Sequence, residues 1–179
     1  MNTILAAVDE DAFAEHVVAA AGELARATGA KLVVCHVMPE RVYQNLRSRE
    51  RQDVILPSVA SAAALDFYFR ERAVAERQAL VGKLDRGKAV EFAARAAEDA
   101  ARGLDARRLS YEVKGRVGEP ARELVQLAKR LNAGAIVIGF EALRGLGRLR
   151  ALGSVARAVL ERAPCPVFAV PVGAAEPVA

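Results

Sequence analysis

The segment that most constrains this chain is Ala135 to Ser154, AIVIGFEALRGLGRLRALGS. It begins as Ala135-Ile136-Val137-Ile138, an uncharged, β-branched run of the kind that forms a strand buried on both faces. Gly139 ends the run, and a loop follows in which Gly145, Gly147 and Gly153 alternate with Arg144, Arg148 and Arg150. Ser154 opens a helical pattern, with Val155 to Arg162 stopped by Pro164. A strand, a glycine-bearing loop and a helix start bring free backbone N–H groups and the positive end of a helix dipole to one point. That arrangement suits an anion, most often phosphate. An ordinary strand-to-helix connection, with glycines that only turn the chain, is the alternative reading of the same residues.

Two phosphate motifs are excluded. A P-loop requires Gly-Lys-Ser/Thr four residues after its first glycine; five residues separate Gly147 from Gly153, and no lysine precedes Ser154. A dinucleotide fingerprint starting at Gly145 fails because Arg150 stands at its third glycine.

The remaining chain repeats the strand–helix alternation. Thr3 to Val8 reads as a first strand, with Asp9 at its carboxyl end. Phe13, Val17, Ala20, Ala21 and Leu24 then recur at helical spacing up to Gly29. Lys31 to Val37 is a second strand, in which His36 reads as a satisfied structural histidine, while His16 belongs on an exposed helix face. Residues 40–69 form an insert, charge-dense to Asp53 and then uncharged from Val54 to Leu65. It reads either as a segment packed on the core or as an exposed lid. Ala73 to Leu104 reads as mostly helix, with breaks at Gly82 and Gly87 and a stripe of Val90, Ala94, Ala97 and Ala101. Arg107 to Lys114 is a third strand near a sheet edge, and Gly115 and Gly118 frame a turn. Pro120 opens a helix whose stripe is Leu124, Leu127, Ala128 and Leu131. Pro164 to Pro171 closes the chain as a fifth strand, before a tail, residues 173–179, expected to be flexible. Such alternation makes one α/β domain over residues 1–172, with a parallel sheet covered on both faces.

Composition narrows the function. The 179 residues are 53% apolar, and no uncharged run is long enough to span a bilayer. The N-terminus MNTILAAVDED lacks the positive region of a signal peptide, so the expected location is the cytoplasm. Cys35 and Cys165 lie in apolar runs and are expected to be reduced, buried thiols. Two histidines and two cysteines make a poor metal cluster. The net charge of +4 raises nucleic acid as a partner, but acids interleave the bases, and no tryptophan with only three tyrosines leaves little for base stacking. No nucleic-acid partner is expected.

In sheets of this class, ligands sit beyond the carboxyl ends of the strands. Asp9, Val37 and Gly139 occupy those ends on three strands. A carboxylate for a ribose, an apolar strand end for a base, and glycines with a helix start for phosphates together describe a nucleotide.

With ILAAVDED, LVVCHV, GEPARELVQLAKRLNAGAIVIG and GSVARAVLERAPCPVFAVP in view, the chain resembles the universal stress protein family. The resemblance implies a Rossmann-like five-stranded parallel sheet in the order 3-2-1-4-5, a homodimer, a role in stress response, and ATP binding. In the family's ATP-binding branch the fourth strand precedes Gly, two residues, Gly, nine residues and Gly-Ser/Thr. Here Gly139 matches the first glycine and Gly153-Ser154 the closing pair, with Val155 behind it. Asp9 and Val37 match the ribose and adenine positions, and Ala7 lines the same wall. The chain departs from the pattern at Ala142, which replaces the second glycine, and ten residues separate it from Gly153. Gly145 and Gly147 offer N–H groups in another register. ATP, with Mg2+ at Asp9 as a possible companion, is the implied ligand, and AMP is the alternative. Without a paired carboxylate or a triad, at most slow ATP hydrolysis is expected. The competing function is a dimeric interaction module that binds no nucleotide. The expected dimer contact is the last strand, Cys165 to Val170, which carries no charge.

Overall fold

A computed structural model describes residues 2–9, 14–49, 84–104, 109–141 and 152–172. Five strands form one parallel sheet: β1 (Thr3–Val8), β2 (Lys31–Pro39), β3 (Tyr111–Gly118), β4 (Ala135–Glu141) and β5 (Val167–Val172). Their spatial order is β3-β2-β1-β4-β5, so the order reverses beside β1, between β2 and β4. The helices are α1 (Ala14–Thr28), α2 (Glu40–Arg49), α3 (Arg86–Ala100), α4 (Pro120–Leu131) and α5 (Ser154–Arg162).

The central strands are apolar at consecutive positions because each face of the sheet meets a helical layer. Ile4, Ala6, Val8, Leu32, Val34 and Val137 pack with Val17, Val18 and Ala21 of α1 and Ala97 and Ala100 of α3. On the opposite face, Leu5, Ala7, Val33, Cys35, Ile136 and Ile138 meet Leu124, Leu127 and Ala128 of α4 and Ala156 and Val159 of α5. Gly29 closes α1 with a φ of 63°, and Asn132 closes α4 with a φ of 47°, the left-handed conformation that stops a helix. Pro120 stands at the start of α4, as expected, and the carboxylate of Glu119 caps that helix by accepting from the backbone N–H groups of Ala121 and Arg122 at 3.2 and 2.7 Å.

Several local expectations need correction. Gly115 and Gly118 do not frame a turn. β3 runs through both and pairs with β2 as far as Pro39↔Gly118. Gly115 is required because α3 crosses β3 in backbone contact: a Cβ there would collide with the main chain of Val90, Ala93 and Ala94. Gly87 does not break a helix but lies in the first turn of α3, behind the Asp85 cap. The buried stripe of α3 is Ala89, Ala93, Ala97 and Ala100, while Val90 is exposed. Gly139 lies inside β4, paired with Val170, and the strand continues to Glu141. The last strand begins at Val167, so Cys165 belongs to the preceding turn and is only half-buried. The first ten residues of the insert form α2, which carries the buried Tyr43. Residues 50–69 of the insert, Gly82, and the tail at 173–179 lie outside the described residues.

Candidate functional site

The carboxyl ends of β1, β2 and β4 open into a cleft of about 760 Å³. Its position follows from topology. The connections from β1 and β4 leave toward opposite faces of the sheet, to α1 and α5, so a crevice remains between them. Ala7 and Asp9 enter from β1, Val37 from β2, Gly139 from β4, and Gly153, Ser154 and Val155 from the start of α5. The fold therefore brings together every nominated residue that is described. Gly145 and Gly147, with Ala142 and the loop arginines, lie outside the described residues.

The chemistry of the cleft is graded. Asp9 is exposed immediately after β1. Behind it, His36 is 1% exposed, and its Nδ1–H donates to the Val8 carbonyl at 3.0 Å. Burial lowers the pKa of this imidazole, which offsets the opposing effects of that bond and of Asp9. His36 thus fixes the end of β1 in a neutral form and is the satisfied histidine expected from the sequence. His16 is exposed, also as expected. Cys35 lines the cleft floor, but burial pushes its thiol up to about 12, so it is no nucleophile near neutral pH.

At the opposite wall, α5 begins without a side-chain cap. Its N-cap is Gly153, and its first turn holds no acid. The helix dipole and the leading N–H groups therefore face the cleft without a competing carboxylate. Gly153 has a φ of −58°, which any residue adopts, and a Cβ there would meet no atom of the described residues within 4 Å. Neither its conformation nor packing among the described residues requires this glycine. Gly139 differs, because a Cβ there would press on Val17 Cγ2 at 3.0 Å.

Sequence reasoning missed one side of the cleft. Pro39, Glu40 and Arg41 line it from the β2–α2 junction, and Gly118, Glu119, Pro120 and Leu124 from the β3–α4 junction. The available signal was Gly118-Glu119-Pro120, a strand end running directly into a helix start, which the turn assignment obscured. Among the described residues, no group of three or more histidine, cysteine, aspartate or glutamate side chains could hold a metal ion.

The universal stress protein family matches residues 1–171. The chain belongs to that family. Among solved structures, a universal stress protein in complex with cAMP shares 22% identity with a TM-score of 0.52, covering 96% of this chain and 98% of the other. Hypothetical protein MJ0577 shares 18% identity with a TM-score of 0.58, over 97% and 98% of the two chains. A universal stress protein from Archaeoglobus fulgidus in complex with dAMP shares 21% identity with a TM-score of 0.44, over 94% and 96%. No curated protein matches the chain. The sheet order 3-2-1-4-5 is the order that the family resemblance implied. No described helix is long and apolar enough to cross a membrane.

Proposed function

We propose that this universal stress protein binds an adenine nucleotide in the cleft at the carboxyl ends of β1, β2 and β4. The observation that carries the reading is the convergence of Asp9, Val37 and the uncapped start of α5 on one crevice. Asp9 takes the ribose hydroxyls, Ala7 and Val37 flank the base, and Gly139, Gly153, Ser154 and Val155 take the phosphates. The cAMP complex of a relative with the same fold supports this ligand class.

ATP, with or without Mg2+, is the ligand implied by Gly153-Ser154. Ala142 and the loop one residue longer than the family pattern weaken the case for triphosphate contacts, with Gly145 and Gly147 as the substitute donors. AMP therefore binds nearly as well as ATP. The protein acts by binding, as a cytoplasmic stress-regulatory module with at most slow ATP hydrolysis.

A homodimer through β5 completes the proposal. This edge strand has no charged residue, and Phe168 is 45% exposed on it. The other edge, β3, carries Glu112, Lys114 and Arg116, charges that discourage strand addition. This asymmetry also supports the second reading, a dimeric interaction module without nucleotide.

Titration calorimetry with ATP, AMP and GTP separates the two. Heat with ATP and AMP but not GTP is expected. Asp9→Ala weakens ATP by about 1.5–3 kcal/mol through lost charged hydrogen bonds. Gly153→Val removes binding and leaves the melting curve near wild type, since a Cβ there meets no described protein atom within 4 Å. No heat and no thermal shift at millimolar nucleotide would leave the interaction module as the function.

A further inference from the structure

The first turn of α2 forms part of the cleft wall through Glu40 and Arg41, so whatever docks the helix also shapes the cleft. It follows β2 without an intervening residue, so its start is fixed at the strand end. Among its described side chains, Tyr43 is buried with Met38, Leu84, Ala89, Ala93 and Val117, and Val42 and Leu46 pack half-buried against that cluster. A ten-residue helix gains little order from its own hydrogen bonds, so docking decides whether it stays formed.

One side chain from another element joins these parts. Arg86, at the start of α3, donates from Nη1 to Glu40 Oε2 at 3.2 Å and from Nη2 to the Val117 carbonyl at 2.8 Å. Its guanidinium also lies 5.9 Å from the centre of the Tyr43 ring. The second oxygen of Glu40 accepts from Gln44 Nε2 at 2.7 Å, which orients the carboxylate along α2. The helix that carries the clamp, α3, is seated on Gly115 of β3 in backbone contact.

We infer that Arg86 is a positioning residue for the cleft: it holds α2, and with it Glu40 and Arg41, in the ligand-competent arrangement. This rests on the nucleotide reading of the cleft and adds a linkage to it. A ligand that touches the wall binds the docked form of α2 preferentially, so occupancy orders α2, and loosening α2 weakens the ligand by the same coupling. An exposed ion pair such as Arg86–Glu40, with side chains 57% and 42% exposed, contributes little to global stability. Its loss should therefore appear in affinity before it appears in the melt.

The test uses the full chain with AMP as the probe, comparing wild type, Arg86→Ala and Arg86→Lys. Calorimetry gives the affinities, and hydrogen exchange is followed on peptides from α2. In the wild type, AMP slows exchange across Glu40–Arg49. Arg86→Ala weakens AMP by about threefold to tenfold, a loss of the docked population, with a melting temperature near wild type. Arg86→Lys, which keeps the charge facing Glu40, recovers part of the affinity. Unchanged affinity in Arg86→Ala, or α2 exchange indifferent to AMP in a wild type that binds it, would overturn the linkage alone. A wild type that binds no AMP would overturn the nucleotide reading and this inference together.

Discussion

Gly115 and His36 show how single positions carry the architecture. At Gly115 the main chains of β3 and α3 touch, and only a missing side chain permits it. Gly115→Ala forces the helix off the strand, overpacking at backbone rather than at a flexible side chain, and should cost about 2–4 kcal/mol. Urea melts would show it as a lower midpoint, and an unchanged midpoint would mean that α3 can slide at no cost. His36 makes stability pH-dependent. Its pKa is lowered from 6.5 by burial, so between the folded value and 6.5 the unfolded chain binds more protons than the folded one. This contribution is present above about pH 6.5 and is lost as the pH falls through that window. Urea midpoints should therefore drop from pH 7.5 to 5.5, with a smaller drop in His36→Asn, measured against each protein's own value at pH 7.5. Equal drops would assign the effect to other groups.

Among the elements, the two sheet edges behave differently. β3 pairs its charges across the surface, with Lys31 and Lys114 both on Glu112. β5 presents Phe168, Ala169 and Pro171 outward and holds Val167 half-buried against the core beneath α5. A lysine at Val167 would thus disturb packing as well as any dimer, whereas Phe168→Lys acts on the exposed side. If strand pairing across a two-fold covers β5, Phe168→Lys yields monomer with a near-native melt. Light scattering at micromolar concentration checks it, and a monomeric wild type would count against the dimer altogether. Helix ends follow the same logic of satisfied or open backbone groups. Glu119 closes the start of α4 with its own carboxylate, while Gly153 leaves α5 open to the cleft.

For the whole molecule, the insert divides in two. Residues 40–49 belong to the domain, since α2 seats Tyr43 in a cluster with residues of β2, β3 and α3. The sequence expectation that residues 40–69 are dispensable for folding, drawn from their charges and Pro57 against the uncharged run at 54–65, is therefore kept for residues 50–69 alone. Replacing 50–69 by a short Gly-Ser linker should leave one cooperative unfolding transition, whereas Tyr43→Ala in the intact chain should cost about 3–5 kcal/mol, the usual penalty for emptying a buried aromatic site. Loss of soluble protein on the linker replacement would show that 50–69 belongs to the core.

Five strands and their alternation with helices were legible from the sequence because burial on both faces leaves uncharged runs such as ILAAV and AIVI, and because helices repeat their apolar side near every fourth residue. The placement of the described candidate residues around the cleft was legible for a related reason. In a parallel sheet, a residue just after a buried run must stand at the carboxyl edge, so Asp9 and the start of α5 could be placed from their own neighbours. What the sequence could not decide was anything set by two distant segments meeting. Gly115 reads locally as a turn, and only the close approach of α3 makes it a strand residue. Gly118, Glu119 and Glu40 look like ordinary strand and helix ends until the β2–β3 pairing brings them to one wall. Arg86 and Glu40 stand 46 residues apart in the chain, and no local pattern links them. Their contact depends on where α3 lands on the sheet, which the tertiary packing alone determines.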